Sequence, residues 1–201
     1  MGAGDDEAAG AGDDKTIVSR VRDGNTNAFA KLVDRYQRQV LALGYRFFRD
    51  REEAEDFAQE VFLQAFRKLD TFEGTGRFFS WLMRIAYTMG GRKAGRATKP
   101  EAYNWERLVD PAPRPDQALE RTEAKRAVVE AIQQLPEGYA DCIALYFFFD
   151  LTYEEVGVVT GFPLNTVRSH IRRGKRLLAA YLTDKKPADD NPAAGGSGGD
   201  V

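Results

Sequence analysis

Leu151-Thr-Tyr-Glu-Glu-Val-Gly-Val-Val-Thr-Gly-Phe-Pro-Leu-Asn-Thr-Val-Arg-Ser-His-Ile-Arg-Arg-Gly-Lys-Arg-Leu177 reads as a helix, a tight turn and a second helix rich in arginine. That is the pattern of a DNA-reading helix-turn-helix. Thr152 with Glu155 three residues later is a capping box, and Gly161-Phe162-Pro163 stops the first helix and restarts the chain. The second helix begins near Leu164. Val167, Ile171, Leu178 and Tyr181, with small Gly174, recur at helical spacing and define an inward side, which leaves Arg168, Ser169, Arg172, Arg173 and Arg176 outward. Most charge runs on helices are ordinary solvated faces. Here Pro163 to Thr183 holds no acidic residue, so the usual internal ion pairs are missing and the face keeps a one-sign field suited to phosphate. Duplex binding is the better reading.

Working outward, the net charge of -2 conceals an uneven distribution. Residues 1–14 carry Asp5, Asp6, Glu7, Asp13 and Asp14, residues 187–201 carry Asp189, Asp190 and Asp200, and neither stretch holds a base. Without those eight acids, 29 bases face 23 acids, so the part between the tails is +6. Both tails are rich in Gly, Ala and Asp, cannot bury enough apolar area to offset ordering entropy, and are expected to be disordered. No apolar run approaches the length of a membrane span and no signal-peptide pattern opens the chain, so a cytoplasmic location without membrane insertion is expected. The single cysteine, Cys142, lies in the apolar run Cys142-Ile-Ala-Leu-Tyr-Phe-Phe-Phe149 and reads as a core filler.

Helical periodicity dominates, with no alternating strand pattern or internal repeat. Phe29, Leu32, Val33, Tyr36, Val40, Leu43 and Phe47 form one apolar stripe; Ala54, Phe57, Ala58, Val61, Ala65 and Leu69 form a second on a helix over about 52–69. Thr71-Phe-Glu-Gly-Thr-Gly76 is a glycine-punctuated loop, followed by a third helix over about 78–93 whose end is weakened by Gly90-Gly91. Those glycines either let phosphates approach closely or mark the helix terminus. Pro100, Pro111, Pro113 and Pro115 mark a linker. Leu119 to Leu135, Tyr139 to Phe149, Tyr153 to Val159 and Leu164 to Leu182 then give four more helices. The expected fold is all-α: a disordered acidic tail over 1–14, a helical module over 15–97, a flexible linker over 98–117, a second helical module over 118–183 and a disordered tail over 184–201.

Two further clusters bear on function. Between Gly74 and Pro100 stand Arg77, Arg84, Arg92, Lys93, Arg96 and Lys99, no acid, and the aromatics Phe78, Phe79, Trp81 and Tyr87. Cations interleaved with aromatics suit single-stranded nucleic acid, whose bases stack while its backbone follows the charge. For Trp81 the core is the preferred place, since aromatic stripes at helical spacing usually pack inward. The second cluster, Glu52, Glu53, Glu55, Asp56 and Glu60 with Gln59, lies on one helix. It fits a hydrated face or a docking surface for a basic partner. A di-metal carboxylate site would need histidine beside it, and the only one, His170, is on the arginine helix. No phosphate loop, metal-ligand pair or catalytic triad stands out, so neither a cofactor nor a catalytic residue is expected. A Cys142–His170 nucleophile pair is disfavoured, because the histidine sits among the arginines and the cysteine in an apolar run.

Asp50-Arg-Glu-Glu-Ala-Glu-Asp-Phe-Ala-Gln-Glu-Val-Phe-Leu-Gln-Ala-Phe-Arg-Lys-Leu-Asp70, Phe79-Ser-Trp-Leu-Met-Arg-Ile-Ala86, Leu135-Pro-Glu and the helix-turn-helix, in that order, resemble a bacterial extracytoplasmic-function sigma factor of the sigma-70 family over about residues 23–182. The resemblance implies that the first module is sigma region 2 and the second sigma region 4. It implies that Asp56, Gln59 and Glu60 dock on the clamp helices of the largest subunit of core RNA polymerase. The third helix and the loop before it, with Phe72, Arg77, Trp81, Arg84, Tyr87, Thr88, Arg92 and Lys93 as candidates, would hold the melted minus-10 strand with a base flipped from the stack. Arg168, Ser169, His170, Arg172, Arg173 and Arg176 would read the minus-35 duplex. The implied partners are core polymerase, promoter DNA and a dedicated anti-sigma factor. Two positions depart from the family pattern: Thr88, where asparagine is common, and His170, where arginine is usual.

The rival readings share less with the chain. An ordinary helix-turn-helix regulator uses the C-terminal module but leaves the acidic and aromatic-basic helices idle. An enzyme lacks its catalytic set, and a helical adaptor does not need acid-free basic helices.

Overall fold

The computed structural model describes residues 4–48, 50–94 and 127–184, and within them every regular element is a helix. The linker over 98–117, Arg96, Lys99, residues 119–126 of the expected fifth helix and the C-terminal tail from 185 onward lie outside the described residues.

Helix α1 (Gly4–Arg22) buries Ile17, Val18 and Val21. The helix takes in part of the acidic stretch, whose last two residues, Asp13 and Asp14, are held in place. The local reason is a set of partners invisible to composition: Arg35 pairs with Asp13 and Asp14, and the Tyr36 hydroxyl donates to Asp14, whose side chain is buried. A 3-10 turn (Thr26–Phe29) leads into α2 (Ala30–Phe47), which buries Leu32, Val40, Leu43 and Phe47. Asp50 caps α3 (Arg51–Arg67), its carboxylate accepting from the amides of Glu52 at 3.0 Å and Glu53 at 3.3 Å. Such a cap contributes about 1 kcal/mol by satisfying amides that have no partner inside the helix. The inward stripe of α3 is the expected one, with Leu69 in the 3-10 turn (Leu69–Thr71) that follows. Helix α4 (Phe78–Ala94) inserts Phe78, Phe79, Leu82, Met83 and Ala86 against α2 and α3.

Gly90 is neither a terminus nor a phosphate contact. It lies inside α4, buried, where a Cβ would come within 2.2 Å of the Phe47 ring, whereas a Cβ at Gly91 would meet open space. The first glycine lets α4 cross α2 closely.

In the C-terminal module, α5 (described over 127–133) and α6 (Glu137–Phe147) bury Val129, Ile132, Ala140, Cys142, Ile143 and Leu145. Helix α7 (Tyr153–Thr160) opens with the expected capping box: Thr152 Oγ1 accepts from the Glu155 amide at 3.2 Å, and Glu155 Oε2 accepts from the Thr152 amide at 2.9 Å. Gly161 ends it with φ 80, a left-handed conformation that glycine adopts without strain. Helix α8 (Leu164–Asp184) follows and runs two residues past its expected end. Val167 and Ile171 are buried as expected, but Tyr181 is exposed, because α8 extends beyond the helices it packs on.

Two helical modules are present, as expected, and they lie against each other. Helix α4 packs along α7, and buried residues of both modules join one continuous core. At the junction Arg46 of α2 donates to Asp141 of α6 through Nε at 2.7 Å and through Nη2, and the Tyr87 hydroxyl donates to the other carboxylate oxygen. Arg46 and Asp141 are 4% and 3% exposed. Desolvation penalises both ions, so such a pair adds little net stability, yet removing one partner costs about 3–5 kcal/mol by stranding the other charge. Burial pushes the Asp141 carboxyl upward against the opposing pull of Arg46, and burial likewise raises the Tyr87 phenol.

Candidate nucleic-acid interface

The outward face of α8 is as the sequence anticipates in its arginines. Val167 and Ile171 anchor one side of the helix, so Arg168, Arg172, Arg173 and Arg176 stand exposed on the other, with Ser169 partly so. Arg172, Arg173 and Arg176 line a recess of about 600 Å³ with Tyr139 and Leu177, and Arg173 Nη1 donates to the Tyr139 hydroxyl at 3.4 Å. Three guanidinium groups around one open recess suit phosphate oxygens or the acceptor edge of a guanine. Arg172→Ala or Arg173→Ala is expected to relax discrimination at one duplex position by about 1–3 kcal/mol if the side chain reads a base edge. Binding measured against every single-base variant of the site tests this; a uniform loss on all sequences assigns that arginine to phosphate instead.

His170 must be moved off that face. Its ring is half-buried inside the module, 4.8 Å from the Tyr139 ring centroid and 5.2 Å from that of Phe162 in the turn. Spacing did not reveal this, because position 170 lies at the border of the inward stripe and the turn residue that receives it comes from outside the helix. His170 Nδ1 also lies 3.7 Å from Cys142 Sγ, so the two are adjacent after all. Burial pushes the Cys142 thiol up to about 12, so it stays protonated and weakly nucleophilic at neutral pH. Among the described residues no cluster of histidine, cysteine or acids could hold a metal ion.

The surface assigned to single-stranded DNA divides. Phe72 is buried, edge-on to Phe78 at 5.6 Å, so its ring offers no face to a base. Trp81 packs against Phe72 and Phe78 and is half-buried, as the core reading has it. Thr88 and Arg92 are exposed, and Lys93 pairs with Glu60 at 2.5 Å across α3 and α4. Arg77, Arg84 and Tyr87 are turned toward the C-terminal module. Arg77 Nη1 lies 3.5 Å from Glu155 Oε2 and from the Asp150 carbonyl oxygen, and Arg84 Nη1 donates to the Val158 carbonyl at 2.9 Å.

On α3, Asp56, Gln59 and Glu60 are all exposed. Beside them runs an apolar groove of about 650 Å³ between α2 and α3, lined by Phe29, Val33, Leu41, Phe62, Leu63 and Phe66 with Gln59 at its edge. Leu63 is 55% and Phe66 40% exposed. Sequence reasoning missed this half of the surface. Its signal was the run Phe62-Leu-Gln-Ala-Phe66, which carries more large apolar residues than one inward stripe of α3 requires.

Among the described residues no helix is long and apolar enough to cross a membrane. The model of sigma-70 region 2 matches residues 32–88, and that of sigma-70 region 4 matches residues 125–178. The RNA polymerase sigma-H factor of Pseudomonas aeruginosa is 35% identical over 180 residues, covering 84% of this chain and 93% of that protein. The ECF RNA polymerase sigma factor SigW of Bacillus subtilis is 30% identical over 182 residues, covering 85% and 97%. The fold is shared with the sigma factor RpoE of Bartonella quintana, solved in complex with the anti-sigma factor NepR, at a TM-score of 0.59 and 20% identity over 79% of this chain and 98% of that one. With both regions matched in order and relatives aligned over nearly their whole length, the chain belongs to the extracytoplasmic-function RNA polymerase sigma factors of the sigma-70 family, and its function is promoter recognition in transcription initiation.

Proposed function

We propose that this sigma factor acts without catalysis of its own, in the cytoplasm, through three surfaces. Asp56, Gln59 and Glu60, with the apolar groove beside them, dock on the clamp helices of core RNA polymerase. Helix α4 and the loop before it, through Arg77, Arg84, Tyr87, Thr88, Arg92 and Lys93, hold the melted minus-10 strand. Arg168, Ser169, Arg172, Arg173 and Arg176 of α8 read the minus-35 duplex. Residues 15–97 and 118–183 serve as regions 2 and 4, and a dedicated anti-sigma factor holds the protein inactive, as the complex of its Bartonella fold neighbour suggests. The observation that carries the reading is the exposed, acid-free arginine face of a helix whose opposite face is buried. Adding the purified protein to sigma-free core polymerase is expected to give a promoter-specific run-off transcript. A product that appears only when another sigma factor is present returns the chain to the class of ordinary regulators.

Thr88 gives this reading a sharper test. A threonine hydroxyl is shorter than an asparagine amide and cannot place a donor and an acceptor side by side on a base edge. Thr88→Asn is therefore expected to reorder base preference at one minus-10 position, by about 1–3 kcal/mol for a two-point contact. Run-off assays over all four bases at each position measure it. Identical rankings for both proteins would remove Thr88 from the pocket.

A further inference from the structure

Arg22 lies in the last turn of α1 and belongs to none of the three proposed surfaces, yet its side chain reaches the start of the loop that precedes α4. Nη2 donates to the Leu69 carbonyl at 2.7 Å and to the Phe72 carbonyl at 2.6 Å, partners 47 and 50 residues away. Leu69 opens the 3-10 turn, and Phe72, with φ -79° and ψ 104°, is the extended residue that leaves it. Holding both carbonyls with one nitrogen fixes the direction in which the chain departs. The Leu69 carbonyl also accepts from the Phe72 amide at 3.1 Å, and both side chains are buried. Arg22 Nε lies 3.8 Å from the Asp70 carboxylate, but Asp70 is 91% exposed and that pair is worth little. The carbonyl bonds are the firm contact, because a cationic donor bonds more strongly than a neutral one.

Residues 73–76 then stand clear of the body. Glu73, Thr75 and Gly76 are exposed, Gly74 takes φ 72°, and a Cβ at Gly74 or Gly76 would meet nothing within 4 Å. At the far end Phe78 and Phe79 are buried, with the Tyr36 ring 5.9 and 5.2 Å from theirs. The loop is thus exposed in the middle and fixed at both ends, by aromatic packing where it enters α4 and by Arg22 where it leaves the 3-10 turn.

We propose that Arg22 is a positioning residue for promoter reading: from outside the strand-binding surface it sets the shape in which loop 73–76 meets the minus-10 strand. The proposal rests on the assignment of that loop to the strand. With Gly74 and Gly76 among its four residues, the loop takes many shapes once its entry is released. Binding that needs the reading shape is then weakened by the fraction of chains that hold it. A strand with the preferred base gains most from the loop and loses most; a strand with the wrong base gains little and loses little. Arg22 therefore controls discrimination at the minus-10 element rather than affinity everywhere.

Arg22→Met removes the donors and keeps an apolar stem. In the free chain, NMR follows hydrogen exchange of the Thr71 and Phe72 amides, which are bonded to the Lys68 and Leu69 carbonyls. In the holoenzyme with core polymerase, run-off transcripts are sequenced from a promoter that the wild type transcribes, with its minus-10 bases randomised and its minus-35 element kept. Both amides are expected to exchange about tenfold faster, and the ratio of best to worst base to fall by about tenfold at the position the loop reads, the loss anticipated when the reading shape drops to a tenth of the population. Binding to a minus-35 duplex and co-purification with core polymerase should be unchanged. Unaltered amide exchange overturns the hold of Arg22 on the loop and leaves the loop's assignment to the strand standing. Faster exchange with unaltered base ratios overturns the positioning role and, with it, that assignment. A matching loss of duplex binding or of core co-purification would make Arg22 a residue of general stability and overturn the proposal. Should Arg22→Met not fold, Arg22→Lys, whose side chain is one bond shorter, goes through the same measurements, and the same outcomes decide.

Discussion

Gly90→Ala is expected to destabilise the protein while Gly91→Ala, one residue away, stabilises it. A Cβ at position 90 would lie 2.2 Å from Phe47 Cδ2 and 2.3 Å from Cε2, far inside contact distance. The ring cannot swing aside. Phe57 and Tyr87 lie 6.1 and 6.0 Å from its centroid, and the Arg46 guanidinium sits 4.6 Å above it. Forcing a methyl into such a site costs about 1–3 kcal/mol or more, against a helix-propensity gain of roughly 1 kcal/mol. At position 91 nothing lies within 4 Å, so only the gain remains. Urea denaturation of the two variants measures this. Equal shifts would mean that α4 does not cross α2 as closely as described.

Gln59→Lys combined with Glu60→Lys is expected to abolish co-purification with core polymerase. Both residues are exposed, Gln59 at the edge of the apolar groove, and the same helix also exposes Glu52, Glu53 and Asp56. Placing two cations where a basic partner docks costs several kcal/mol, or about two to three powers of ten in affinity. Folding should be spared. Glu60 does pair with Lys93, but the two side chains are 48% and 41% exposed, so solvent screening leaves that bridge worth little. Circular dichroism should therefore match wild type, since exposed substitutions away from special features rarely shift stability by more than about 0.5 kcal/mol. Undiminished co-purification would place the polymerase contact elsewhere on the chain.

Most of the local structure was legible in the amino-acid order. The α3 stripe, the Thr152–Glu155 capping box, the Gly161 stop and the start of α8 follow from periodicity and turn chemistry, which act over a few residues and leave a direct trace. The arginine face of α8 was legible for the same reason: Val167 and Ile171 fix which side is buried. The family resemblance followed because its motifs are contiguous blocks in a fixed order.

What the sequence did not determine depends on residues far apart in the chain. Asp14, at the end of the acidic stretch, is buried by Arg35 and Tyr36 more than twenty positions away, a pairing that composition does not record. His170 turns inward because Tyr139 and Phe162 receive it, and Phe72 is lost to the core because Phe78 and Trp81 surround it. The groove beside Gln59 exists only because α2 and α3 pack side by side and bring Val33 and Leu41 next to Phe62, Leu63 and Phe66. Above all, the packing of α4 along α7, with Arg46 paired to Asp141 95 residues away, brings the two modules together and engages Arg77, Arg84 and Tyr87. A sequence pattern records which side of a helix is apolar. It does not record which distant helix will cover that side, because burial and charge pairing are settled only when the whole chain has packed.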